Sequence, residues 1–175
     1  MPEKNDLCGA DEKAILFTRC EFRPLTETAA SEISRWAYEQ PYDCYNFKGH
    51  PNGYLFNRDT WGKEQFYLAD ENRVIGFVSC QYDGGDLWVG WSLSPLFCGQ
   101  GNGFLFIEHC VSVIRTALNH KGEIFLRVAA WNQRAIRSYQ KAGFRCLKTI
   151  KDEIAYTNQT EDFWVMVHPC GMVAR

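Results

Sequence analysis

The chain has no Cys-x-x-Cys pair, and none of its four histidines stands at zinc-site spacing from its eight cysteines, at 8, 20, 44, 80, 98, 110, 146 and 170. The common closed zinc sites and dithiol redox motifs are therefore excluded, and no metal is expected. Long apolar runs are also missing. Nothing approaches the ~18 apolar residues of a membrane span, so no membrane partner is expected. The start, Met1 to Asp6, is polar and reads as carrying no signal peptide. The cysteines then read as reduced thiols of a cytoplasmic protein. Basic clusters are scarce and the formal net charge is −2. That disfavours nucleic acid as a partner and an RNA-binding module as the function. No internal repeat or linker marks a second domain.

Apolar and aromatic residues are plentiful, at 46% and 15% of 175 residues, against 23% charged. One compact domain with a sizeable core follows. Its expected limits are 14–168, between a frayed segment 1–13 and a tail 169–175.

The stretch from Asp86 to Val111 organises the rest. Leu87, Val89, Trp91 and Leu93 alternate as in a strand. Ser94-Pro95 stops the strand. Gly99, Gly101 and Gly103 then alternate with Gln100 and Asn102. Phe104, Ile107, Val111, Ile114 and Leu118 continue at helical spacing. A strand, a glycine-rich loop and a helix in that order can hold an anion. First-turn amides point outward, the macrodipole adds positive potential, and glycines allow close backbone approach. A P-loop is excluded, because no Lys-Ser or Lys-Thr follows the glycines. A dinucleotide fold is excluded by the glycine spacing and by the hairpins that come first.

Around this stretch, residues 14–23 read as a first strand with Ile15, Phe17, Cys20 and Phe22 inward. Thr26 reads as the cap of a helix over 27–38, with Ala30, Ile33 and Ala37 on one face. Residues 64–69 and 74–82 read as strands, and Asp83-Gly84-Gly85-Asp86 as the turn before the central strand. The helix from Gly103 should run to His120 and stop at Gly122. His109 and His120 border its polar side and are expected to meet solvent. Residues 123–129 form a strand that a right-handed crossover places parallel to 86–93. Asn132 caps a helix over 133–142, with Gly143 as its C′ residue. Residues 144–150 and 161–168 form a final antiparallel pair, joined by a polar loop around 157–160. The expected fold class is α+β. It has a mixed, mostly antiparallel sheet of about 6–7 strands and about 4 helices, in proportions ordinary for a domain. Strands 86–93 and 123–129 should part at their C-terminal ends.

Two motifs carry a resemblance. Cys98-Gly99-Gln100-Gly101-Asn102-Gly103 is similar to the acetyl-coenzyme A loop of the GCN5-related N-acetyltransferases, Arg/Gln-x-x-Gly-x-Gly/Ala, and departs from it at Cys98. Asn132, Ala135, Tyr139, Gly143 and Phe144 match that family's second motif in order and spacing. The resemblance implies direct transfer of an acetyl group from acetyl-coenzyme A, as co-substrate, to a primary amine. The acceptor stays open among small amines, amino sugars and protein or peptide amines. The resemblance puts the pyrophosphate on the amides of residues 98–104, namely Cys98, Gly99, Gln100, Gly101, Asn102, Gly103 and Phe104. Pantetheine would run along the strand end at Leu93, with Asn132, Ala135 and Tyr139 opposite. Tyr139 would be the general acid; the competing reading has its ring merely packing between helix and sheet. In that family the region after the first helix helps cover the acceptor, so Trp36, Tyr42 and Tyr45 are candidates there. A small aromatic satellite core competes with that assignment. Dimerisation is common in folds of this kind.

No general base stands out. Asp83 and Asp86 lie at the wrong end of the central strand, and Glu39 and Asp43 read as surface charges; a water chain would also serve. Cys98 offers neither charge nor a good donor, which leaves open a second reading: a non-catalytic coenzyme A sensor with the same fold.

Overall fold

The computed structural model describes residues 17–47, 53–154 and 159–170. Its centre is one seven-stranded sheet in the order β1-β2-β3-β4-β5-β7-β6. The strands are β1 Glu21–Pro24, β2 Gln65–Asp70, β3 Arg73–Asp83, β4 Asp86–Leu93, β5 Ile124–Ala129, β6 Arg145–Ile154 and β7 Gln159–His168. The α-helices among the described residues are α1 Glu27–Ile33, α2 Gly103–Ala117 and α3 Gln133–Lys141, with residues 17–19 also helical. All neighbouring strands are antiparallel except β4 and β5. Those two pair only at Leu87 with Ile124 and Trp88 with Phe125. Beyond these pairs they part, as the strand-loop-helix pattern implied.

Period-two alternation gives the sheet two apolar faces. Phe66 and Leu68 of β2 join Leu87, Val89, Leu126 and Val128 beneath α2 and α3. α2 contributes Phe106, Ile107, Cys110, Val111 and Ile114, a stripe at helical spacing. Tyr67 and Ala69 face the other way, with Leu25, Ala29, Ala30, Ile33 and Trp36. Each large side chain so buried stabilises the fold by roughly 1.5–3 kcal/mol. The β3–β4 hairpin turns at Gly84 and Gly85 with φ of 58° and 96°, the left-handed pair a two-residue turn demands.

Several boundaries differ from the sequence reading. Residues 14–23 are not one strand: 17–19 are helical and only Glu21–Pro24 is extended. Phe17 and Cys20, three residues apart, both enter the α2 core, which suits a helical turn. α1 stops at Ile33, five residues early, and Ala37 is exposed. The Ser34 hydroxyl and the Arg35 Nε both donate to the Ser31 carbonyl, at 2.9 and 3.1 Å, and the chain turns so that Trp36 enters the second core. α2 ends before Asn119, whose φ of 48° takes the left-handed place assigned to Gly122. His109 and His120 are only partly exposed, and each is held by a backbone carbonyl. His109 Nε2 donates to the Cys20 carbonyl at 3.3 Å and His120 Nε2 to that of Glu123 at 2.9 Å. β6 and β7 run beyond their expected ends, so Gln159 and Thr160 belong to a strand. The segment 1–13, Ile15, Gly49, Pro51, residues 157–158 and the last five residues of the tail lie outside the described residues.

None of the seven described cysteines is in a disulfide. Burial pushes Cys20 up to about 11 and Cys80 up to about 12, so both stay protonated at neutral pH. No helix among the described residues is long and apolar enough to cross a membrane.

Two half-buried imidazoles generate a stability prediction. Burial lowers the pKa of His109 and of His168 below the ordinary 6.5. The unfolded chain therefore takes up protons first as the pH falls. The stability these neutral rings contribute is complete above pH 6.5 and is lost progressively below it. Tm should rise between pH 5.5 and 7.5, and the rise should shrink in a His109→Gln/His168→Gln variant. A Tm that falls over that interval would mean that these rings are charged in the folded protein.

Candidate functional site

Where β4 and β5 separate, a cleft of about 490 Å³ opens. Its walls are the end of β4, the glycine loop, the face of α3, β5 and the tyrosines that follow α1. After β4 the chain makes one 3-10 turn, Pro95–Phe97, and enters the loop. Gly99 and Gly101 have φ of 72° and 74°, and a Cβ added at either would meet no atom within 4 Å. The left-handed backbone explains why glycine stands there. Both glycines line the cleft, so their backbone is open to it. At Gly103 the reason is different: a Cβ would come within 2.8 Å of Ser138 Oγ, so glycine lets α2 start against α3. The first α2 amide with a partner one turn back is that of Phe106, bonded to Asn102 O at 3.0 Å. The amides of residues 103–105 precede it at the positive end of the helix.

The side chains of Gln100 and Asn102 turn away from the cleft. Cys98 is half-buried, its thiol 3.6 Å from the carbonyls of both Leu93 and Ser94, and burial raises its pKa. Gln100 donates to the Leu96 carbonyl at 2.9 Å and Asn102 to that of Phe97 at 2.9 Å. Neither Gln100 nor Asn102 lines the cleft, whereas Leu93, Cys98, Gly99, Gly101, Gly103 and Phe104 do.

Across the cleft, Asn132 caps α3 as the sequence implied, accepting from the Ala135 amide at 3.1 Å. Its Nδ2 donates to the Tyr45 hydroxyl at 3.4 Å. Tyr139 lies two turns along the same face. Its ring packs near Trp91 and Phe144, with centroids 6.1 and 5.8 Å away. Its hydroxyl accepts the Trp91 indole N–H at 3.2 Å. Burial raises its pKa above tyrosine's usual 10, and the Trp91 bond opposes that rise. The ring packs between helix and sheet, and its residue lines the cleft.

Of the acceptor-side candidates, Tyr42 and Tyr45 line the cleft and face Trp131, with centroids 5.9 and 6.0 Å away. Trp36 does not; it is buried in the second core. Trp36 belongs to the second core, whereas the two tyrosines lie at the cleft against Trp131.

The structure adds residues that the sequence reading missed. Tyr38 donates from its hydroxyl to the Leu93 carbonyl at 2.8 Å, and its amide is held by Asn46 Oδ1 at 2.7 Å. The early end of α1 frees it for this, and no sequence signal marked it. Arg134, Arg137 and Lys141 line the α3 wall. Their spacing of three and four was visible in the sequence as a helical stripe. Arg127 also lines the cleft but is paired with Asp152. Among the described residues no aspartate, glutamate or histidine lines the cleft. Asp83 and Asp86 pair with each other across the β3–β4 turn, and no His/Cys/Asp/Glu group among the described residues could hold a metal.

The sequence model of the family described as the acetyltransferase (GNAT) family matches residues 30–144. No curated protein sequence gives a significant match. A GNAT-family acetyltransferase from Bacillus anthracis superposes with a TM-score of 0.68 at 16% identity, covering 86% of this chain and 95% of that one. Spermidine N-acetyltransferase from Vibrio cholerae, in complex with CoA and spermine, gives 0.63 at 21%, covering 86% and 95%. The ribosomal-protein-S18-alanine N-acetyltransferase from Escherichia coli gives 0.62 at 18%, covering 89% and 97%. At these identities the likeness is one of fold.

The left-handed loop is directly testable. Gly101→Ala should destabilise the protein by ~1–2 kcal/mol, the strain of a Cβ in that region. Gly101→Asn should cost less, because asparagine tolerates the conformation better. Denaturant titration of both variants decides it; equal losses would mean that Gly101 is not left-handed.

Proposed function

The chain belongs to the acetyltransferase (GNAT) family, and from that premise we propose that it transfers acetyl from acetyl-coenzyme A directly to a primary amine in the cleft between β4 and β5. The observation that carries this reading is the meeting of the open glycine cradle at the start of α2 with the Tyr139 hydroxyl in one cleft. The cradle suits a pyrophosphate, since it offers unblocked backbone and helix-start amides. Asn132, Ala135 and the end of β4 at Leu93 would flank the pantetheine arm.

Acetyl-coenzyme A supplies a thioester, an acyl group on a good leaving thiolate. This chain's residues must then do three things. The loop and α2 amides hold the phosphates, so that the acyl end is directed toward the parted strands. Tyr38, Tyr42 and Tyr45 wall the other side and restrict water. Tyr139 gives a proton to the sulfur as the C–S bond breaks and the new N–C bond forms. Its hydroxyl already receives the Trp91 N–H, which leaves its own proton to donate. The same N–H stabilises the phenolate left behind. The amine's proton has no described carboxylate or imidazole to receive it in the cleft, so it leaves through water.

The test of the function is thiol release from acetyl-coenzyme A with a panel of polyamines, amino sugars and peptides. Release that depends on a particular amine supports transfer. Tight coenzyme A binding with no release for any amine would favour a sensor. Two further outcomes follow once an acceptor is known. Tyr139→Phe should lower kcat by about 10²-fold and leave coenzyme A affinity nearly unchanged; turnover at the wild-type rate would remove Tyr139 as the acid. The pH dependence of kcat/KM should follow the acceptor amine's own pKa, moving when a less basic acceptor is used. A profile fixed at one pKa for both acceptors would reveal a protein base.

A further inference from the structure

Position 98 lacks the Arg or Gln of the motif that the loop resembles, and the structure shows no substitute within the loop. The Cys98 thiol points to carbonyls, and the Gln100 amide donates to Leu96. A doubly charged pyrophosphate held by amides alone would lack a counter-charge. The wall opposite the loop carries three cations, Arg134, Arg137 and Lys141, all lining the cleft. Among the described residues none of the three is in an ion pair with a carboxylate.

We infer that Arg134, with Arg137 and Lys141 on the same face of α3, supplies the positive charge for the pyrophosphate of coenzyme A that position 98 does not. The inference rests on the acetyltransferase reading above. Several observations converge on it. Ser138 lies between Arg137 and Lys141 on the helix and meets the start of α2 so closely that a Cβ at Gly103 would come within 2.8 Å of its Oγ. α3 is thus held beside the cradle. Arg134 stands in the first turn of α3, which has no acidic residue. A cation there opposes the helix macrodipole, so local helix stability does not explain it. Lys141, in the last turn, suits the dipole by itself, which makes Arg134 the informative member. The Arg134 guanidinium lies 3.8 Å from the centre of the Tyr42 ring, which fixes it at the cleft mouth. Its charge acts on both Cys98 and Tyr38, the groups that flank the strand end. A planar guanidinium can grip a phosphate through two parallel N–H bonds, which a cysteine cannot do.

The experiment is calorimetric binding of coenzyme A, dephospho-coenzyme A and pantetheine to the wild type and to Arg134→Gln. Folding of the variant is checked by Tm. Arg134→Gln should weaken coenzyme A and dephospho-coenzyme A about tenfold each, the worth of one charge-assisted contact. Pantetheine, which has no pyrophosphate, should bind both proteins equally. Arg134→Lys should fall between, since it keeps the charge and loses the fork. Unchanged coenzyme A affinity in the folded Gln variant overturns the inference. So does a loss confined to coenzyme A, which would assign Arg134 to the 3′-phosphate. A loss that extends equally to pantetheine overturns it too, by pointing to packing around Tyr42. Failure of the wild type to bind coenzyme A at all would instead remove the acetyltransferase reading beneath it.

Discussion

Two residue pairs hold β4 against β5, and everything about the site depends on there being no third. Leu87 with Ile124 and Trp88 with Phe125 make the ladder; past them each strand keeps only its outer neighbour, β3 or β7. The inner edges of a sheet normally satisfy each other. Here they diverge into a wedge inside an otherwise continuous sheet. Trp91, three residues beyond the last pair on β4 and packed toward the core, fills part of the wedge beside Tyr139 and Phe144. The backbone edge nearer the strand ends is left for the cleft. The most buried part of the molecule and its candidate site therefore share one boundary.

The two cores explain why the wedge keeps its shape. On one face, α2 and α3 press against β4 and β5, and Arg115 ties the end of α2 to the end of β7 by donating to the carbonyls of Gly122 at 2.9 Å and Pro169 at 2.7 Å. On the other face, α1 and Trp36 anchor the segment that delivers Tyr38, Tyr42 and Tyr45. Tyr38 joins the two systems, because its hydroxyl ends on the carbonyl of Leu93, the last residue of β4. Burying Trp36 thus has a bearing on the site although the residue never reaches it.

The sheet and the loop were legible in the sequence because their signals are local. Alternation in β4, the Asp-Gly-Gly-Asp turn, the glycines before α2 and the Asn132 cap each dictate their own backbone. The single-residue choices inside the cleft were not legible in the same way. Whether α1 ended at Ile33 or Tyr38 depended on side chains competing for the Ser31 carbonyl and on a tryptophan entering a core assembled from distant strands. That contest decided Tyr38's place at the site and Trp36's absence from it. Segment 14–23 failed for a related reason: apolar residues at 15, 17, 20 and 22 satisfy period two in part and helical spacing in part. The cations of α3 were visible as a stripe, but only the fold shows that the stripe faces the loop.

Four tyrosines line this cleft, and the hydroxyl hydrogen bonds of three of them separate their chemistry. Tyr38 donates to a carbonyl, so its proton is already engaged. Tyr45 receives from Asn132 but lies at the exposed mouth, where solvent shares its protonation. Tyr139 receives from Trp91 and sits deepest against the core. Burial alone would make it a poor acid, since it raises the pKa and a thiolate is a weaker base than a phenolate. Giving up the proton becomes feasible only if the phenolate is stabilised at the moment it forms. The Trp91 N–H is already aimed at that oxygen, and it requires no reorganisation when the charge appears. Trp91 stands three residues beyond the last β4–β5 pair, in the region where the strands have parted. The separation that opens the cleft is thus also what lets a β4 side chain reach across to the hydroxyl on α3.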